Sequence, residues 1–95
     1  MELLRVTNES VVVLYEAETG QIVHTHRVVT FEDGEIPERS KLERQALEQL
    51  RLAQPRVTKR PEFLHVAPNS MKADTLYKVD RRRKVLVEIP SEIGA

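Results

Sequence analysis

The stretch that decides the fold is VVVLYEAETGQIVHTHRVVTF, residues 11–31. It contains two apolar, β-branched runs on either side of EAETGQ, and Gly20 stands where a hairpin turn needs a residue with positive φ. A three-residue loop of this kind would place Ala17 opposite Gln21. The sequence therefore predicts an antiparallel hairpin that forms the first part of a sheet.

Both faces of this predicted hairpin are largely apolar. Because successive side chains of a strand point to opposite faces, the alternation assigns the residues to two sets. One face is expected to carry Val11, Val13, Tyr15, Val23 and Val29. The other is expected to carry Val12, Leu14, Ile22, His24, His26 and Val28.

A helix is predicted downstream, in PERSKLERQALEQLRLAQP at residues 37–55. Leu42, Ala46, Leu50 and Ala53 recur at helical spacing on one stripe, which Leu47 widens. The start is open between Pro37 as a first helical residue and a capping box formed by Ser40 and Glu43. The end is expected near Ala53, because Pro55 disfavours helical geometry at the preceding residue.

The rest of the chain reads as strands: a short one in EFLHVAP at 62–68, then a hairpin in TLYKVDRRRKVLVEI at 75–89. The predicted order is ββαβββ, an α+β fold with a mainly antiparallel sheet and one long helix packed on one face. Residues 1–95 are expected to form a single domain with frayed ends at 1–8 and 90–95.

One helix of about sixteen residues is ~24 Å long and covers one sheet face, not two. The second apolar face must be covered by the C-terminal strands curling over as a half-barrel, by a second copy, or by another protein. We therefore expect a non-catalytic binding protein that self-associates as a homodimer through the second face of the first hairpin. The predicted contact residues are Val12, Leu14, Ile22, His24, His26 and Val28.

The three histidines raise the question of a metal site. His24 and His26 would project side by side from one strand face, with His65 or a carboxylate such as Glu16 completing the ligand set. No fourth ligand is fixed by the sequence, so the prediction is no metal and no cofactor. The pair could also act as a proton-sensitive contact, because histidine titrates near neutral pH.

Two basic clusters suggest the alternative function of nucleic-acid association. They are Arg56, Lys59 and Arg60, and then Arg81, Arg82, Arg83 and Lys84. If they converged they would form a patch that tracks phosphates, although no aromatic residue is interleaved with either one to stack bases. Net charge is zero, because 15 basic residues balance 15 acidic ones.

Composition narrows the remaining classes. The chain has no cysteine, which excludes disulfides and thiol nucleophiles, and it carries no phosphate-loop, nucleophile-elbow or dinucleotide fingerprint. We therefore predict that it is not an enzyme. Its longest apolar run is too short to cross a bilayer and the N-terminus does not resemble a signal peptide, so a cytoplasmic location is expected, with no membrane role.

Overall fold

The computed structural model describes residues 5–57 and 59–90, so most of the ends predicted to fray, 1–4 and 91–95, lies outside the described residues. In chain order the elements are β1 (Val6–Tyr15), β2 (Ile22–Phe31), α1 (Arg39–Ala53), β3 (Glu62–Val66), β4 (Leu76–Asp80) and β5 (Val85–Ile89). All strand pairs are antiparallel, so the predicted α+β fold and its ββαβββ order are confirmed. Among the described residues, no helix is long and apolar enough to cross a membrane.

The β1–β2 turn is one residue longer than the loop predicted from the sequence. The amide of Gly20 donates to the carbonyl of Glu16 at 2.9 Å, and Tyr15 pairs with Ile22 instead of Val23. A bulge between Leu14 and Tyr15 then restores the expected register further along β1. Gly20 has a φ of +79°, as the turn requires.

Helix α1 begins at Arg39, and no side-chain hydrogen bond caps its first turn, so the capping box of Ser40 and Glu43 does not form. It ends at Ala53, as predicted from Pro55, and the Gln54 amide closes it on the carbonyl of Leu50. The buried residues of the helix are Leu42, Ala46 and Leu50, which confirms these three members of the predicted stripe, whereas the fourth, Ala53, is exposed.

Strand β1 lies at the centre of the molecule. It pairs with β2 on one side and β3 on the other, in the order β2-β1-β3. Its last five residues, Val11 to Tyr15, are all buried, so both faces of this segment lie in a core. Helix α1 packs on one face, and the β4–β5 hairpin packs on the other.

The β4–β5 hairpin covers the second sheet face, which corresponds to the half-barrel alternative. Val79 of β4 and Leu86 of β5 pack against Val13 and Tyr15 of β1. A single bridge from Gln21 to Lys78 joins this hairpin to the start of β2. The Val79 amide also donates to the Gly20 carbonyl at 2.8 Å, so β4 lies directly against the β1–β2 turn.

The β4–β5 turn is organised by Asp80. One oxygen of its carboxylate accepts the amides of Arg82 and Arg83, and the other accepts the Arg83 guanidinium at 3.2 Å. These bonds to the charged form, those from Arg83 first, lower the pKa of Asp80 below its usual value. Lys84 closes the turn with a φ of +57° and donates from Nζ to the Tyr15 hydroxyl at 3.1 Å.

Candidate functional site

The contact surface predicted from the sequence includes residues that the helix covers. Val12 and Leu14 are 0% exposed and pack in one cluster with Leu42, Ala46 and Leu50. The expectation that they form an uncovered face is wrong, because α1 packs on this face of the hairpin and the β4–β5 hairpin takes the other. A second copy cannot contact these two side chains in the folded chain.

Ile22 is also misplaced by the sequence prediction. The bulge beside Tyr15 turns Ile22 toward the β4–β5 side, where it packs against the buried cluster of Val13 and Tyr15. Val23 packs instead against the helix-side cluster. Val28 keeps its predicted face and is half-buried at the margin of the helix-side core.

The three histidines all lie on the helix side of the sheet. His26 and His65 flank Val12 on neighbouring strands, and His24 lies beside Leu14. His65 Nε2 is 2.7 Å from Glu43 Oε2 on the helix. The histidines are therefore partly covered by α1 and are not displayed on an open face.

Burial changes the chemistry of the histidine pair. Loss of solvation, and next the nearby His26, lower the pKa of His24 from its usual value of 6.5. The Nε2 atom of His26 is buried and has no hydrogen-bond partner among the described residues. Within residues 5–57 and 59–90, no three His, Cys, Asp or Glu side chains are grouped to hold a metal ion.

The two basic clusters come together at the β1–β2 turn. Lys59 Nζ lies 3.4 Å from Glu18 Oε1, and Arg81 Nη1 donates to the Ala17 carbonyl at 3.0 Å. Ala17 and Glu18 are consecutive, so their Cα atoms are about 3.8 Å apart. We call this region the basic end, consisting of Arg56, Lys59, Arg60, Arg81, Arg82, Arg83 and Lys84.

The basic end carries a local excess of positive charge. Its seven cations have four carboxylates beside them: Glu18 pairs with Lys59, Asp80 pairs with Arg83, Glu16 lines the same cleft as Lys59 and Arg60, and Glu62 attracts Lys84. A cleft of about 590 Å³ opens between the β1–β2 turn and residues 57 and 59–61, with Lys59 and Arg60 on one wall. Arg56, Arg60 and Arg82 are exposed, and they form no ion pair with any of the residues described in the structure.

The hairpin extends beyond its cover at the other end of the molecule. Strand β3 pairs only with the last five residues of β1, and the β4–β5 hairpin packs on the same part. We call residues 6–10 and 28–31, which β3 and the β4–β5 hairpin leave uncovered, the open end. Its side chains on the β4–β5 side include the exposed Val6, Val29 and Phe31.

The outer edge of β2 is the other feature that sequence reasoning missed. β2 is an edge strand of ten residues that pairs with β1 on its inner edge. On its outer edge, among the described residues, only Gln21, next to its start, is bridged to another strand. On this outer edge the Gln54 side chain donates to the Val23 carbonyl at 3.3 Å. The rest of the edge, from 24 to 31, pairs with no described strand. The signal was present in the sequence, since β2 and β1 are twice as long as the strands that follow them.

Comparison with known proteins does not connect this arrangement to any of them: no family model, no curated protein and no solved structure matches the chain.

Proposed function

We propose that this chain is a non-catalytic interaction protein that self-associates by pairing the free edge of β2 with β2 of a second copy. The observation that carries the proposal is the long β2 edge, bordered by the exposed apolar side chains of the open end. Unpaired amides and carbonyls along such an edge are a template for another strand. The proposed surface replaces the one expected from Val12 and Leu14, which lie in the core.

A second copy is the favoured occupant because nothing along this edge keeps two copies apart. Arg27 is the sole charged residue of β2, and it forms an ion pair with Glu9 of its own chain. Natural edge strands usually carry lysines, prolines or inward-pointing charges that prevent such pairing. The chain as a whole has no net charge, so two copies do not repel each other at long range.

Charge also selects the register of the pair. A two-fold axis perpendicular to the sheet makes one residue of β2 face its own copy, and the free edge from 24 to 31 puts this residue at Arg27 or Val28. Two Arg27 side chains face to face would be destabilising. Pairing about Val28 instead sets Arg27 of one copy opposite Val29 of the other, and Thr25 opposite Phe31.

Electrostatic complementarity supports the antiparallel direction. In each copy, Lys78 is bridged to Gln21 beside the start of β2, and Glu32 and Asp33 follow the end of β2. In the antiparallel pair, the acidic residues of one copy therefore approach the lysine of the other. A parallel arrangement would bring the two acidic segments together. Opposite charges placed in this way favour one orientation more than they add to affinity.

The test is the molar mass in solution of the protein and two matched lysine variants. Val29→Lys places a cation opposite Arg27 of the other copy, which weakens the pairing. Within its own chain the new lysine faces Glu9, so the fold should stay intact. Val85→Lys is the control, because Val85 is 43% exposed and Val29 41% exposed. We expect dimers for the parent and Val85→Lys, and monomers for Val29→Lys.

Two results would count against self-association at this edge. One is a parent protein that stays at 11.0 kDa at every concentration. The other is a Val29→Lys variant that dimerises as well as its control. If the parent is monomeric but binds an extended peptide of another protein and Val29→Lys does not, the edge is an interaction surface with a different occupant, and self-association is wrong.

A further inference from the structure

We infer that the basic end binds the phosphate backbone of double-stranded nucleic acid, without preference for sequence. This function is separate from self-association, because the basic end adjoins the β1–β2 turn and the proposed dimer edge runs from 24 to 31. The inference rests on three features: the convergence of the two clusters, the cations left without partners, and the chemistry of those cations.

Convergence turns two short runs into one surface. Lys59 and Arg81 contact consecutive residues of the β1–β2 turn, so the segment before β3 and the β4–β5 turn flank the same loop. The backbone amides of Arg82 and Arg83 donate hydrogen bonds to the Asp80 carboxylate, and these bonds fix the backbone of the β4–β5 turn. The cations at this turn are therefore presented by an ordered loop.

The charges at the basic end are not all neutralised within the fold. Lys59 is paired with Glu18, and Arg83 with Asp80. Arg56, Arg60 and Arg82 have exposed side chains without an ion-pair partner in the described parts of the chain. These three are the side chains we assign to phosphate contacts.

The type of cation and the lack of aromatics indicate the class of ligand. Five of the seven cations are arginines, whose planar guanidinium groups match phosphate with two parallel hydrogen bonds. Tyr15, which contacts Lys84, is 1% exposed and cannot stack with a base, and Tyr77, which lines a groove with Lys84, is half-buried. Without a stacking surface, contacts to backbone phosphates favour a duplex over a flexible single strand.

The experiment measures binding of the full chain to a short fluorescent duplex of mixed sequence by anisotropy. Three phosphate contacts predict a slope of log affinity against log salt of about −2.7, or a loss of about 40-fold between 50 and 200 mM salt. A second duplex of unrelated sequence should bind within about two-fold, since contacts to phosphate carry no direct sequence information. A single strand of equal length should bind more weakly.

Two triple variants that remove the same charge from different surfaces test whether the basic end is the surface that binds the duplex. The variant Arg56→Gln/Arg60→Gln/Arg82→Gln should abolish most of the salt-dependent binding. The control Arg39→Gln/Lys41→Gln/Arg44→Gln removes the same charge from exposed positions of α1 and should retain the affinity within about two-fold. Circular dichroism and thermal melting of both variants separate lost binding from lost folding.

Three outcomes would overturn the inference: no binding at low salt, equal weakening by both triple variants, or stronger binding to vesicles containing phosphatidylserine than to the duplex. Val29→Lys makes the result independent of self-association, because a monomeric Val29→Lys protein should still bind the duplex. Loss of duplex binding in that variant, with the fold intact, would also contradict a separate site.

Discussion

The two ends of the first hairpin both carry β-branched residues, but their surroundings differ. The closed end, residues 11–25, has α1 on one face and the β4–β5 hairpin on the other. The open end has exposed valine and phenylalanine side chains on the β4–β5 side and a free strand edge. β-Branched residues in a strand therefore do not tell whether that strand is core or surface, because the decision lies with the elements packed against it.

The largest effect is expected at the closed end, from Gly20→Ala. A Cβ atom there would lie 2.2 Å from the carbonyl oxygen of Val79, and the φ of +79° disfavours any L side chain. We predict a loss of about 3 kcal/mol or more in the free energy of unfolding, measured by urea denaturation. Gly34→Ala is the control, since its Cβ would meet its nearest atoms at 3.3 Å and the loss should be about 1 kcal/mol or less.

A pair of truncations compares the two ends directly. Leu14→Ala opens a cavity in a fully buried position and should cost about 2–5 kcal/mol in the free energy of unfolding. Val29→Ala removes a partly exposed side chain and should cost about 0.5 kcal/mol or less when measured on the monomer. Equal losses at the two positions would mean that the open end is covered as fully as the closed end.

A smaller effect is expected from Tyr15→Phe. The variant keeps the buried ring and removes the hydroxyl that accepts a hydrogen bond from Lys84 Nζ. This contact, first the hydrogen bond and then the electrostatic attraction between the two side chains, raises the pKa of Lys84. The urea midpoint should fall, but by much less than for Leu14→Ala. An unchanged midpoint would show that the Lys84 contact does not hold the β4–β5 turn onto β1.

The smallest effect is the pH dependence contributed by His24. Its pKa is lower in the folded chain than the usual 6.5, so between those two values the unfolded chain binds more protons. Stability should therefore be full above pH 6.5 and fall as the pH drops toward the folded pKa. In His24→Gln, the difference in urea midpoint between pH 7.5 and pH 5.5 should shrink, and a difference that stays the same would assign the effect to other groups.

Much of the architecture was predictable from local patterns. The turn at Gly20, the stripe of Leu42, Ala46 and Leu50, and the stop before Pro55 each depend on a few neighbouring residues, and each is confirmed. The face chosen by the helix was not predictable. Both hairpin faces are apolar, so alternation gives no reason to place α1 on one of them.

The positions of the candidate surfaces were harder to predict than the architecture, because they depend on tertiary structure. The bulge beside Tyr15 moves Ile22 to the other face, and a one-residue change in loop length is hard to predict from sequence. The basic clusters were visible in the sequence, but their convergence depends on β4 docking beside the turn. The free edge of β2 depends on the order of the strands, which the sequence left open.

The most direct test of the central claim is the molar mass of Val29→Lys and Val85→Lys across a range of protein concentrations. Dimers of Val85→Lys at concentrations where Val29→Lys remains at the monomer mass would support pairing through the β2 edge. Equal masses for the two variants at every concentration would contradict it.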